Sequence, residues 1–231
     1  MSDDTSIRRL DLGHFVRPAS ETGTGQDRAE AVLAYLVRRP EGLLLFDTGL
    51  GSGSAETDAH YRPRRRDLTQ ALADAGVGPE DLAAVVNCHL HFDHIGGNPL
   101  LAGLPVFVQA KELATARAGD YTIGTLVDPP DGRPLAYEEL DGEAEIWPGV
   151  RLVPTPGHTA GHQSLVVERG PGQGGTTVLA GQAYDFASEY GHAELAARVG
   201  LGPADRPWLA RLAEFAPQRV LFAHDRAVWT P

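Results

Sequence analysis

His89-Leu90-His91-Phe92-Asp93-His94 follows the apolar run Ala84-Val85-Val86 and precedes Gly96-Gly97. A short β-branched run bounded by turn residues reads as a strand, here Ala84 to Cys88. On an extended strand end, residues two apart project to the same side, so His89 and His91 can grip one ion. Asp93 and His94 lie beyond them, where Gly96-Gly97 lets the backbone turn, and can face a second ion beside the first. Neutral imidazoles and carboxylates are the usual ligands of zinc, iron and manganese. A purification tag would be terminal and repetitive; this cluster is internal and irregular.

Two further histidine segments lie downstream. Thr155-Pro156-Gly157-His158-Thr159-Ala160-Gly161-His162 comes directly after a strand ending at Val153. Its Pro and Gly force a tight turn that can present His158 to the site, and His162 is expected to order the loop by hydrogen bonding. Phe222-Ala223-His224-Asp225 again follows a strand. A lone histidine there would be structural; it gains meaning by completing a set. His14, His60 and His192 fit no ligand pattern.

Around these segments, β-branched runs alternate with helical patterns. Strands are expected at Ile7 to Leu12, Ala31 to Val37, Leu43 to Phe46, Pro105 to Val108, Ala144 to Ile146, Val150 to Val153, Ser164 to Val167, Thr176 to Leu179 and Arg219 to Phe222. Helices are expected from Asp67, a capping residue, to about Ala75, and over Ala110 to Ala118, Phe186 to Val199 and Pro207 to Phe215. Gly49 to Arg66 reads as a mobile loop, and Asp120 to Gly142 as a long excursion with little regular structure. Arg62-Pro-Arg-Arg-Arg66 is a short basic run, read as a solvated loop or as an attractor for an acidic group over the site. Strands and helices alternate in both halves, which predicts a layered architecture. No linker interrupts it, so residues 1–231 are expected to form a single domain.

The ordered set of His89-x-His91-x-Asp93-His94, His158 in a Thr-Pro-Gly-His turn and a late His224 resembles the metallo-β-lactamase superfamily. Within it, His89 to Asn98 and Pro156 to Ser164 look like the N-acyl homoserine lactonase branch. The resemblance implies an α/β (α+β) fold, a four-layer αββα sandwich with metals at one edge. It also implies that His89, His91 and His158 hold one metal and that Asp93, His94 and His224 hold the other. Asp47, in Phe46-Asp47-Thr48-Gly49, matches the family's early Asp-Thr-Gly and would orient ligands from behind.

The chain departs from that family pattern at one ligand. The family has a bridging Asp after a strand-closing glycine; here Thr177-Val-Leu-Ala-Gly181 is followed by Gln182. A carboxylate shares two anionic oxygens between two cations, whereas an amide offers one neutral carbonyl oxygen. A weaker second site, or a single-metal enzyme, is therefore expected, with Asp185 as a possible substitute ligand. The related lactonases also carry a tyrosine three residues beyond that Asp, in contact with the substrate carbonyl. This chain has Asp185 at that spacing and Tyr184 one residue earlier, so Tyr184 either takes that contact or packs on the surface.

The chemistry implied is the opening of a lactone, an acyl homoserine lactone or related small lactone, by metal-bound hydroxide, with Asp93 handling the proton. The cofactor expected is Zn2+, as one or two ions, with iron or manganese as alternatives. A thioesterase or biosynthetic hydrolase on the same fold, and a metal-poor binding protein, are the competing readings. No Gly-x-Ser-x-Gly elbow is present, which argues against a serine hydrolase, and Gly49 to Gly53 lacks the ending of a P-loop. The formal net charge of -11 over 231 residues disfavours nucleic acid and anionic membranes as partners, and favours a small molecule. The single cysteine, Cys88, excludes an intramolecular disulfide, and no signal or membrane-spanning run is evident; a cytoplasmic location is expected. Sequence leaves the oligomeric state open.

Overall fold

The first third of the chain builds a long hairpin. Strand β1 (Ser6–Arg17) pairs antiparallel with β2 (Arg28–Arg39), with a register shift between Asp11 and His14. Gly13 sits in that bulge at φ 108°, and its amide donates to Asp11 Oδ1 at 3.1 Å. A Cβ at Gly13 would lie 1.9 Å from the Arg64 carbonyl oxygen, so only glycine admits the neighbouring strand β4 (Arg64–Arg65). Strand β3 (Gly42–Phe46) then pairs antiparallel with β2 and parallel with β5 (Leu82–Val86). Leu43, Leu44, Leu45 and Phe46 are all buried, as expected of a strand covered on both faces.

The structure is a computed structural model that describes residues 5–119, 121–130, 134–169, 174–202 and 206–231. Among the described residues, β6 (Pro105–Gln109) and β7 (Ala136–Leu140) complete a seven-stranded sheet in the order β4-β1-β2-β3-β5-β6-β7. Strands β8 (Ala144–Trp147), β9 (Val150–Pro154), β10 (Gln163–Val167), β11 (Thr177–Leu179) and β12 (Arg219–Leu221) form a second sheet, ordered β12-β11-β10-β9-β8. Tyr35, Val37, Leu44, Phe46 and Val86 of the first sheet meet Val150, Leu152, Leu165, Val167 and Leu179 of the second in one buried cluster.

Helices cover the outer faces. Helix α2 (Leu68–Asp74) is capped by Asp67, which accepts from the Gln70 amide at 2.8 Å. It buries Leu68, Ala71 and Leu72 against Leu10, Leu12, Leu36 and Leu45. Helices α5 (Ala187–Arg198) and α6 (Trp208–Glu214) cover Val153, Val166, Val178 and Val220 with Tyr190, Trp208, Leu209 and Leu212. The four layers are thus those of the αββα sandwich the resemblance implies. Helices α3 (Ala110–Arg117) and α4 (Gly124–Val127) pack with Leu90, Phe92 and Ile95 at the edge where the histidines gather.

Two expectations need correction. The stretch from Gly49 to Arg66 is not all loop: it contains α1 (Ala55–Tyr61), capped by Ser54, whose hydroxyl accepts from the Thr57 amide at 3.1 Å, and the short β4. The stretch from 120 to 142 contains α4 and β7, while residues 120 and 131–133 lie outside the described residues. Strand β7 escapes hydrophobic patterning because it is a sheet edge whose Glu138 and Glu139 face water.

Candidate metal centre

Strands β3 and β5 are parallel, as are β11 and β12, so the segments leaving their C-terminal ends can converge on one edge of the sandwich. Asp47 follows β3, the His89 to His94 segment follows β5, Gln182 follows β11 and His224 follows β12. The turn carrying His158 and His162 joins β9 to β10. The first histidine segment is not a strand end, as the spacing suggested: β5 stops at Val86, and a turn in which the His94 amide donates to the His91 carbonyl at 3.0 Å sets the side chains.

Two ligand sets result. His89 Nε2 lies 3.0 Å from His91 Nδ1, which lies 3.0 Å from His158 Nε2. Beside them, Asp93 Oδ2 lies 3.3 Å from His94 Nε2 and 3.4 Å from His224 Nε2. Within each trio the potential ligand atoms all lie within 4.8 Å of one another. His94 Nε2 and His224 Nε2 are buried without a hydrogen-bond partner. Orphaned buried polar atoms are costly, and a cation between them and Asp93 would satisfy both. In the other trio three imidazole nitrogens face one another, with His89 buried and His158 exposed. The donor set, nitrogen with one carboxylate oxygen, suits a divalent transition ion.

The electrostatics agree with a site built for positive charge. Burial works against the ionised form of Asp93, but His94, His224 and His91 around it hold its carboxyl well below the usual range. Burial likewise works against charge on His94, yet Cys88, Asp93 and Asp47 outweigh it and raise its pKa well above the ordinary imidazole value. His89 and His162 go the other way: burial first, then the neighbouring imidazoles, keep them neutral.

The support behind the ligands is equally specific. Asp47 has φ 62°, a left-handed backbone that a non-glycine residue adopts at some cost. From there its Oδ1 accepts from the Cys88 amide at 2.9 Å, and its Oδ2 accepts from His94 Nδ1 at 3.0 Å and from the Cys88 thiol at 3.1 Å. His94 therefore turns Nε2 toward Asp93. His224 is aimed in the same way, its Nδ1 donating to the Ala31 carbonyl at 2.8 Å. His162 Nε2 accepts from the Gln182 amide at 3.0 Å, while its Nδ1 lies 2.8 Å from Thr155 Oγ1 and 3.1 Å from the Thr155 carbonyl. Both ring nitrogens of His162 thus serve the loop.

Gln182 lines the cavity, and its Nε2 donates to Asp185 Oδ1 at 3.0 Å. Asp185 does not reach the ligand trios; its other oxygen is held by Arg28 at 2.6 Å. Tyr184 is not brought to the ligands either. Its ring packs 6.0 Å from Tyr190 and 5.9 Å from Trp208, with the Arg206 guanidinium 4.3 Å above it, because α6 supplies an apolar face there. The basic run is likewise structural: Arg62 pairs with Asp27, Arg65 with Asp58 and Arg66 with Asp74.

Sequence reasoning missed Glu112 of α3. It is fully buried, and it accepts from the Leu90 amide at 2.9 Å, Thr159 Oγ1 at 2.8 Å, the Gly161 amide at 3.2 Å and the Tyr121 hydroxyl. Those donors flank His89, His91 and His158. It also missed the cavity wall. A cavity of about 610 Å³ opens above the two trios, with Phe15, Tyr61, Phe92, Tyr121 and Ile123 on its apolar side and Arg17, Ser54 and Glu56 among its polar residues. Tyr121 stands 4.5 Å from His91, ring to ring. No residue pattern local to those segments announces the wall.

Comparison with known proteins points the same way. A metallo-beta-lactamase superfamily model matches residues 27–174. An N-acyl homoserine lactonase from a Bacillus species is 34% identical over 149 residues, 59% of this chain and 58% of that protein. The match therefore spans less than two thirds of that relative's length. An N-acyl homoserine lactonase from Agrobacterium fabrum is 27% identical over 242 residues, covering 92% of this chain and 86% of its own. Among solved structures, an N-acyl homoserine lactone hydrolase with the product N-hexanoyl-L-homoserine at its catalytic metal center has a TM-score of 0.77 and 27% identity, with 98% and 95% coverage. With four layers around a shared core and two ligand trios at one edge, the chain belongs to the metallo-beta-lactamase superfamily.

Proposed function

We propose that this chain is a metal-dependent hydrolase that opens the ring of a small neutral lactone, an acyl homoserine lactone or a close relative. The observation that carries the reading is that both trios reach one cavity with an aromatic wall, His91 and His158 from one trio and Asp93 from the other. His89, His91 and His158 would hold one ion, and Asp93, His94 and His224 a second, with Gln182 beside them; zinc is the ion of choice for this nitrogen-rich set. When bound, such an ion supplies Lewis acidity and a water activated at neutral pH. Asp47 and His162 act from behind, holding His94 and the Gln182 backbone in place.

The cavity supports a neutral substrate. Its cation, Arg17, is already engaged by Glu30 through two hydrogen bonds of 2.6 and 2.8 Å. An acyl chain would lie against Phe15, Tyr61, Phe92 and Ile123, while the ring sits over the trios. Water adds to the ring carbonyl, the ester C–O bond breaks, and the water's proton passes to the departing ring oxygen. Asp93, an ionised carboxylate lining the cavity, would carry that proton. No protein nucleophile is needed, and Cys88 is buried among Asp47, His89 and His94. No helix among the described residues is long and apolar enough to cross a membrane, and a cytoplasmic, single-domain enzyme is part of this reading.

The test is acid release from N-acyl homoserine lactones of graded chain length by zinc-loaded protein. Turnover that rises with chain length and vanishes in His91→Ala supports the proposal. Inert lactones alongside hydrolysed acyl thioesters would move the reading to a thioesterase, and inertness toward both would leave a binding protein.

A further inference from the structure

The carboxylate that Gln182 hydrogen-bonds is not free. Asp185 Oδ1 accepts from Gln182 Nε2 at 3.0 Å, and Asp185 Oδ2 accepts from Arg28 at 2.6 Å. The same Arg28 grips buried Glu30 through two donors at 2.6 and 2.8 Å, and its guanidinium lies 4.6 Å above the Phe186 ring. Glu30 is held from its other side by Arg17. The wall therefore runs Arg17, Glu30, Arg28, Asp185, Gln182, two cations against two anions, and ends at the cavity. With its Nε2 committed to Asp185, the Gln182 amide leaves its carbonyl oxygen as the end available to the centre.

We propose that Arg28 sets the metal stoichiometry of this centre by holding Asp185 away from it. Released from Arg28, Asp185 would be one hydrogen bond's reach from the cavity and would add a second anionic oxygen to a trio whose sole anion is Asp93. While Arg28 holds it, that negative charge is neutralised at the wall, and Gln182 presents only a neutral oxygen. The trio of Asp93, His94 and His224 then binds its ion more weakly than that of His89, His91 and His158, and the enzyme works with one firmly held ion and one exchangeable ion. This inference rests on the hydrolase reading above.

The experiment is equilibrium dialysis against buffered free zinc, with ions per chain counted by elemental analysis, for the parent, Arg28→Met, Asp185→Asn and the double variant. Thermal melts of each check folding. Arg28→Met should fill its second site at about tenfold lower free zinc, the lower end of what an outer partner of a metal ligand typically controls. Adding Asp185→Asn should return filling to the parent level. Should Arg28→Met fail to fold, Arg28→Gln keeps a hydrogen-bond donor beside Glu30 but removes the cation that neutralises Asp185, and its second site should also tighten. Parent and Arg28 variants filling together would overturn the inference, as would a gain that survives Asp185→Asn. A parent that binds no zinc would overturn the hydrolase reading and this inference with it; zinc binding unchanged by Arg28 substitution overturns this inference alone.

Discussion

Glu112→Ala should damage both the stability of the protein and its grip on the first ion. Glu112 is fully buried, and each of its oxygens takes two donors. Removing it lets the Tyr121 hydroxyl turn to the cavity, but the amides of Leu90 and Gly161 and the Thr159 hydroxyl have nowhere to go. Each buried donor left unpaired costs about 1–3 kcal/mol, and partial relaxation brings the three together to about 4 kcal/mol. That is a large share of the roughly 5–15 kcal/mol that holds a typical domain together. Glu112→Gln is milder: one oxygen survives, while the new NH2 group faces two donors, for about 2 kcal/mol. The losses should appear in urea denaturation of metal-free protein. The same bonds position Leu90 between two ligands and Thr159 beside a third, so zinc affinity of the His89, His91 and His158 trio should fall by about 10-fold or more. A Glu112→Ala protein within about 1 kcal/mol of the parent, with unchanged zinc affinity, would refute the assignment of Glu112 as the brace of this trio.

Gly96→Ala places a Cβ 2.2 Å from the Leu50 carbonyl carbon, which is backbone and cannot yield locally. A melting experiment should show a loss of about 2 kcal/mol. Tyr184→Phe should leave kcat/KM for the best lactone unchanged, since the ring packs between Tyr190 and Trp208; a large fall in kcat would return Tyr184 to the substrate. Arg62→Ala removes an exposed pair with Asp27 and should change stability by less than about 1 kcal/mol and leave KM alone, as steady-state kinetics would show. Chelation should lower the melting temperature, because zinc at about 1,000 times its dissociation constant stabilises the folded state by about 4 kcal/mol.

The candidate ligand residues were legible because metal chemistry restricts the choice of side chain and because each candidate segment follows an apolar strand. The layered architecture was legible for a related reason, since β3 and β5 are apolar throughout and β2 and β10 carry the runs Ala31 to Val37 and Leu165 to Val167, while the four-layer order came from the family resemblance. What the sequence hid depends on distant partners. Glu112 stands in Ala110-Lys-Glu-Leu-Ala-Thr-Ala-Arg117, which looks like an ordinary solvated helix, and its donors come from loops 22 and 47 positions away. Arg28 and Glu30 lie on a strand, where charged residues suggest an exposed edge; only the fold brings Asp185 beside them from 157 positions away. Helix α1 was hidden in a Gly-, Ser- and Arg-rich stretch whose one local sign was the Ser54 cap. Tyr184 stands one residue short of the related lactonases' tyrosine, so sequence left it between a substrate contact and packing, and Trp208, far along the chain, packs against its ring.

The hydrogen bond from His224 to the Ala31 carbonyl joins residues 193 positions apart. During synthesis, Ala31 leaves the ribosome early and waits for nearly the whole chain before its partner exists. His89, His91 and His158 are all made before His224, so the ligands of one trio are complete while the other still lacks a member. A ribosome stalled between residues 158 and 224 would therefore carry a nascent chain with the first candidate ligand trio and only part of the second. Closing β2 against the segment after β12 is a late, long-range event, of the kind that slows folding and leaves strand edges exposed to other chains until it is done.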